Sequence, residues 1–373
     1  LKEGIMSLEL TPRTLMGPGP SDVHPRILEA VGKKTIGHLD PQFVNLMEEI
    51  KSLLKYSFKT KNEMTYTVSA PGSAGMETCF VNLVSPGDKV LVCINGVFGK
   101  RMLENVTRVG GVPVVLDFPW GNSVDPKKVE EELQKDSSIK IVSFVHGETS
   151  TGVLSNAEAI AKVAKKNDCL TIVDTVTSFV GTPVEVDKWG LDAVYTGSQK
   201  CLSCIPGLSP VTFSERALEK FDQRKTPVQS WFLDISLIKK YWGAGEKRTY
   251  HHTAPVNSLY ALYESLLLVK EEGLENCWER HFKNHLKLKE GLEKLNLEFL
   301  VDEKERTPQL NAIRVPEGVD EAKVRERLLN EFNLEIGAGL GPLAGKIWRI
   351  GLMGHSSREE NINFLLDCLK KTL

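Results

Sequence analysis

The sequence predicts an α/β protein: a large domain with a mainly parallel sheet flanked by helices, and a smaller C-terminal α+β domain. Three observations lead there. Short apolar runs alternate with helix-period segments from Met64 to Tyr195. The run Ile139 to Val145 is almost continuously apolar, as suits a parallel strand covered on both faces. Beyond Asn257 the texture changes to longer amphipathic stretches around isolated strands.

In chain order, Phe43, Leu46, Met47, Ile50, Leu53 and Leu54 keep helical spacing. Met64 to Ser69 reads as a strand, and Gly72 opens a helix with Met76, Phe80 and Val84 on one face. Lys89 to Ile94 is a second strand, followed by a helix through Arg101 to Val109 and a third strand from Val112 to Leu116. Ile139 to Val145 precedes a helix through Ile160, Val163 and Ala164. Leu170 to Val173 and Ala193 to Tyr195 are short buried strands. The second texture begins with a helix carrying Leu259, Leu262, Leu266 and Val269. Helical runs at Phe282 to Leu295 and Ile362 to Leu369 then flank strands at Leu310 to Val315 and Ile347 to Ile350. This divides the chain into an N-terminal segment (1–20), a large domain (21–256) and a small domain (257–373).

Composition narrows the function. The 373 residues are 41% hydrophobic with a net charge of -2, and the two signs are interspersed. No basic stripe suggests nucleic acid, and no apolar run reaches the ~20 residues of a membrane span. Residues Leu1 to Leu10 lack a signal-peptide core, and Met6 is a candidate natural start. The terminal Lys371-Thr372-Leu373 is not a peroxisomal Ser-Lys-Leu. Seven scattered cysteines fit free thiols in a reducing cytoplasm. Cys201 and Cys204 form one C-x-x-C without the second ligand pair that zinc needs.

Ligands of parallel α/β sheets gather at the carboxyl ends of strands. Ser69-Ala70-Pro71-Gly72-Ser73 is a strand–turn–helix junction whose N–H groups and Ser73 hydroxyl could hold a phosphate; an ordinary turn is the alternative. Asp174 ends the largely apolar strand Cys169 to Val173, a costly place for a carboxylate without a cationic partner, unless it caps a helix. His146 stands at a strand end as well, where a hydrogen-bonded structural role is the commoner one. Lys200 follows the next strand, among small and polar residues. A carboxylate and a lysine at adjacent strand ends is the pair that pyridoxal-phosphate chemistry needs: the amine bonds the aldehyde as a Schiff base, and the carboxylate keeps a proton on the pyridine nitrogen. Two patterns are decoys. Gly339-Leu340-Gly341-Pro342-Leu343-Ala344 precedes a strand instead of opening a helix after one. His251-His252 are adjacent, and such side chains point apart in a strand.

With these residues in place, the chain resembles the alanine–glyoxylate and serine–pyruvate aminotransferases, in the class V group of fold-type-I pyridoxal-phosphate enzymes. The likeness runs from Gly17-Pro18-Gly19-Pro20-Ser21 to Arg349-Ile350-Gly351-Leu352-Met353-Gly354, through HGETSTG (146–152), GSQK (197–200), YHHTAP (250–255) and Gly339 to Gly345. It implies pyridoxal 5′-phosphate on Lys200 with Asp174 as pyridinium partner. Gly72, Ser73 and Gln199 match positions around the phosphate, Thr149 a hydroxyl beside the ring, and Phe98 the stacking aromatic. Arg349 and Gly19 match positions on the substrate side, with Arg349 gripping the carboxylate. Tyr250 and Thr253 match residues that complete the neighbouring subunit's phosphate site, which implies a homodimer. Two departures stand out: Pro71 in place of a small donor removes an N–H from the loop, and Phe98 in place of Trp loses the indole donor.

The implied reaction moves an amino group from alanine or serine to glyoxylate or pyruvate by a ping-pong scheme. Other donors within the family, such as aspartate or a purine-catabolism or phosphonate amine, are the alternative. A lyase or desulfurase would want a mobile nucleophilic Cys and a His beside the lysine, where this chain has Gln199. Lys200, Asp174 and Arg349 argue against a non-catalytic relative. No second arginine for a side-chain carboxylate is evident in the sequence.

Overall fold

The computed structural model describes residues 9–243 and 248–373, so the stretch around Met6 lies outside the described residues. Its centre is a seven-stranded sheet. In space the strands run Met64–Val68, Ser209–Phe213, Ala193–Tyr195, Leu170–Asp174, Ile139–Val145, Lys89–Ile94 and Val112–Asp117. All are mutually parallel except Ser209–Phe213, which is antiparallel to both neighbours. The mainly parallel sheet expected from the apolar runs is therefore present. The antiparallel strand was not anticipated: Pro210 sits inside it, and proline in a run argues against a strand between two partners.

Helices cover the sheet where the 3.6-residue period places them. Pro41–Phe58 starts at an Asp40 cap and buries Phe43, Met47, Ile50 and Leu54. Gly72–Leu83 and Val97–Arg108 follow the first two strands in sequence. The buried side chains form two clusters. The large one fills both faces of the central sheet, and it takes in Leu259, Leu262, Leu266 and Val269 of the Val256–Glu272 helix. The smaller one gathers Leu288, Ile313, Trp348, Ile350 and Leu365 around a three-stranded sheet of Leu310–Arg314, Ile347–Gly351 and Gly337–Ala338. The Leu274–Lys294 helix passes from the first cluster at Cys277 to the second at Leu288. The N-terminal segment joins the smaller cluster: Thr14–Leu15 pairs in parallel with Leu334–Glu335, and Met16 is fully buried there. This routing carries the next residues, Pro18 and Gly19, across to the carboxyl ends of the central strands, where they meet Lys200.

Candidate active site

Asp174 closes its strand 2% exposed. One carboxylate oxygen accepts the N–H of Val176 at 2.8 Å, and the other accepts the Tyr195 hydroxyl at 2.8 Å. Burial still pushes the carboxyl up to about 6; these hydrogen bonds and the charges of Lys200 and Arg101 pull it back only in part. Lys200 is 7% exposed, and its amine donates to the Pro18 carbonyl. Burial, and then the charge of Arg349, lowers it to about 8. Gly19, at φ +102°, makes room for the lysine: a Cβ there would stand 2.6–2.9 Å from its Cδ, Cε and Nζ.

Both groups line one cavity of about 200 Å³, with Pro71, Gly72, Ser73, Phe98 and Gln199. Gly72 and Ser73 open the Gly72–Leu83 helix, whose start has no side-chain cap. First-turn N–H groups lack partners within a helix, so this end is ready for an anion. Gln199 Oε1 is buried with no partner, and of this amide only Nε2 can donate to an anion in the cavity. Phe98 is half-buried and presents an aromatic face. An amine, a buried carboxyl, an aromatic wall and an uncapped helix start together fit the aldehyde, ring nitrogen, ring and phosphate of pyridoxal phosphate. A larger cavity of about 460 Å³ lies behind the lysine loop, lined by His24, Cys201 and His355. It includes neither Lys200 nor Asp174, and the chemistry converges on the smaller one.

Arg349 lies outside this lining but close to it. It is 7% exposed, and it donates from Nε to the Ala338 carbonyl at 2.6 Å and from Nη1 to the Thr149 carbonyl at 3.2 Å. Among the described residues no carboxylate stands within ion-pair distance, and burial lowers its pKa to about 10, with the more distant Glu148 charge opposing this only in part. A buried guanidinium without a counter-ion is costly unless an anionic ligand supplies one. Thr149 is likewise outside the lining; its hydroxyl pairs with that of Thr177. Tyr250 and Thr253 are exposed, joined to each other at 3.4 Å, and outside the lining.

A family model for class-V aminotransferases matches residues 26–360. The chain belongs to the class-V aminotransferase family. A crystal structure of alanine–glyoxylate aminotransferase from Nostoc sp. superimposes with a TM-score of 0.97 at 45% identity, covering 100% of this chain and 98% of that one. Mouse alanine–glyoxylate aminotransferase is 39% identical, over 98% of this chain and 89% of its own length. The (S)-ureidoglycine–glyoxylate transaminase of Bacillus subtilis is 38% identical, over 97% of this chain and 90% of its own.

Three residues of this class-V aminotransferase escaped the sequence reading. Tyr195 is fully buried and fixes Asp174. Glu148 is fully buried; its Oε1 accepts the N–H and hydroxyl of Ser150 at 3.0 and 2.6 Å, while Oε2 has no hydrogen-bond partner. Burial pushes it up to about 7. Ser150 Oγ in turn accepts the Val97 N–H at 3.0 Å, tying this carboxyl to the helix that carries Phe98. Arg101 lines the cavity as well, a second arginine near the site beside Arg349. Elsewhere, His146 is buried against Ser178 at 2.9 Å and is held neutral, its pKa lowered to about 4 by burial. Cys201 and Cys204 are buried free thiols, each pushed up to about 12 by burial, so neither is a ready nucleophile. The His251 and His252 rings do not point apart: they lie in a loop with Nδ1 atoms 2.7 Å apart, because the backbone there is not a strand.

Proposed function

We propose that this class-V aminotransferase uses pyridoxal 5′-phosphate to move an amino group from alanine or serine to glyoxylate or pyruvate, in two half-reactions. The observation that carries this is the pairing of a buried amine, Lys200, with a buried carboxyl, Asp174, in one cavity beside an uncapped helix start. Bound there, the cofactor supplies an aldehyde that takes the amino group and a ring that draws charge from the amino acid's Cα.

Lys200 anchors the aldehyde end and, when displaced, moves the proton at Cα as base and then acid. Its pKa of about 8 keeps part of the amine free near neutral pH. Asp174 holds a proton at the ring nitrogen, and Tyr195 keeps the carboxylate in place. Gly72, Ser73 and Gln199 receive the phosphate, Phe98 lies against the ring, and Thr149 stands at the ring's side. Gly19 closes over Lys200, and Arg349 grips the substrate carboxylate with its bidentate fork. Tyr250 and Thr253, exposed on one chain, complete the phosphate site of a neighbouring subunit, so the working unit is a homodimer. Seven buried free thiols suit a cytoplasmic setting.

The names of the Bacillus and mouse relatives share glyoxylate and differ in donor, which favours glyoxylate as acceptor and leaves the donor to be decided by assay. Alanine or serine with glyoxylate should give a higher kcat/KM than aspartate or glutamate with 2-oxoglutarate. The small-donor reading is wrong if a dicarboxylic donor wins. Arg349→Lys keeps the charge and loses the fork, so kcat/KM for alanine should drop by roughly 1.5–3 kcal/mol, the worth of a hydrogen bond to a charged group. An unchanged value would remove Arg349 from the substrate site.

The dimer has its own test. Lys200→Ala and Thr253→Trp subunits, each inactive alone, should recover activity on mixing, because one site of the mixed dimer has both residues intact. No recovery in mixed dimers shown to form would rule out the shared site.

A further inference from the structure

We propose that Arg101 is the cationic holder of the cofactor's phosphate, which makes it a binding residue beyond Gly72, Ser73 and Gln199. This rests on the pyridoxal-phosphate reading above.

Arg101 sits one turn beyond Phe98 on the Val97–Arg108 helix. The residue is exposed, yet its guanidinium carbon lies 4.7 Å from the centre of the Phe98 ring, and it lines the same cavity as Ser73, Asp174 and Lys200. Among the described residues it has no carboxylate at ion-pair distance and no side-chain hydrogen bond. A long surface arginine usually takes one of the many glutamates around it; its neighbour on the helix, Arg108, does so with Glu104 at 3.4 Å. Arg101 is instead laid on the aromatic wall of the site.

Charge decides what it does there. A phosphate monoester brings about -1.5 to -2 near neutral pH. The start of the Gly72–Leu83 helix offers the equivalent of about +0.5. Pro71 in that loop contributes no N–H, and Gln199 is neutral. The positively charged side chains lining the cavity are Lys200 and Arg101, and Lys200 is committed to the aldehyde end. Arg101 is left to balance the phosphate, and its planar fork matches two phosphate oxygens.

The rival use of the same arginine is a grip on the distal carboxylate of a dicarboxylic donor. Binding measurements on the full chain, freed of cofactor with a carbonyl scavenger, separate the two. Wild type, Arg101→Gln and Arg101→Lys are titrated with pyridoxal 5′-phosphate, with pyridoxal lacking the phosphate, and with inorganic phosphate as competitor. Thermal melting of each cofactor-free chain checks folding.

Arg101→Gln should weaken pyridoxal phosphate on the order of ten- to a hundredfold. It should leave pyridoxal unchanged and abolish competition by inorganic phosphate, with Arg101→Lys in between. Pyridoxal phosphate affinity within twofold of wild type overturns the proposal, and a simultaneous loss with dicarboxylic donors alone assigns Arg101 to substrate. Equal weakening of pyridoxal and pyridoxal phosphate also overturns it, since Arg101 would then act through Phe98 and not through the phosphate. Failure of wild type to bind pyridoxal phosphate at all would instead remove the cofactor reading.

Discussion

Replacing Lys200 by Ala should cost the largest share of activity of any single change in this protein. Loss of a positioned acid–base group alone lowers rates by roughly 10²–10⁴-fold, and the anchor for the aldehyde goes with it. Added methylamine should restore a fraction of turnover if the missing function is an amine. The wild-type pH profile follows from the burial of the same group. Its folded pKa is about 8, below the ordinary 10.5. Below about 8 the amine is protonated and cannot attack an aldehyde; above it the amine is free. The rate at which the cofactor-free chain captures pyridoxal phosphate should therefore rise with pH through about 8 and level off, read from the growth of cofactor absorbance. A rate that falls over this range would mean that Lys200 is not the capturing amine.

Asp174→Asn is the second large effect. The carboxyl is 2% exposed and fixed by Val176 and Tyr195; the amide has the same size, its oxygen can keep the Val176 N–H, and the Tyr195 hydroxyl must turn to accept from the amide nitrogen. What it loses is the charge that holds a proton on the ring nitrogen. Cofactor affinity should weaken by about 1.5–3 kcal/mol, the worth of a charge-assisted hydrogen bond, and kcat should fall by more, because proton removal from Cα depends on the ring's pull. Near-normal kcat in the Asn variant would exclude the pyridinium role.

Much of this architecture could be read from residue order, because the central strands are apolar on both faces. Lys89–Ile94 and Ile139–Val145 stand out in the sequence over the same spans they occupy in the sheet. Asp174 was legible for the same reason: a carboxylate directly after Leu170–Val173 breaks a hydrophobic pattern. Ser209–Phe213 was hidden by its proline, although Pro210 still accepts the Thr196 N–H through its carbonyl at 2.9 Å, and the Thr196 carbonyl takes the Ser209 hydroxyl at 2.6 Å where a ladder N–H would otherwise reach it. Arg349 looks like any strand residue in Trp348-Arg349-Ile350; only family resemblance marked it, since its burial comes from Ala338 and from Thr149, 200 positions away. Glu148 had the same signature as Asp174, a carboxyl just beyond an apolar strand, and could have been flagged by the same argument. Arg101 carries no local signal, because a helix surface is where arginines belong. Its importance comes from the turn that points it back over Phe98.

The central claim is that Lys200 holds the cofactor. Borohydride reduction of the purified, cofactor-loaded protein fixes the carbon–nitrogen link, and peptide mass mapping locates it. The account predicts one pyridoxyl group per chain, on the peptide containing Gly197-Ser198-Gln199-Lys200. A stoichiometric label on any other lysine would contradict it.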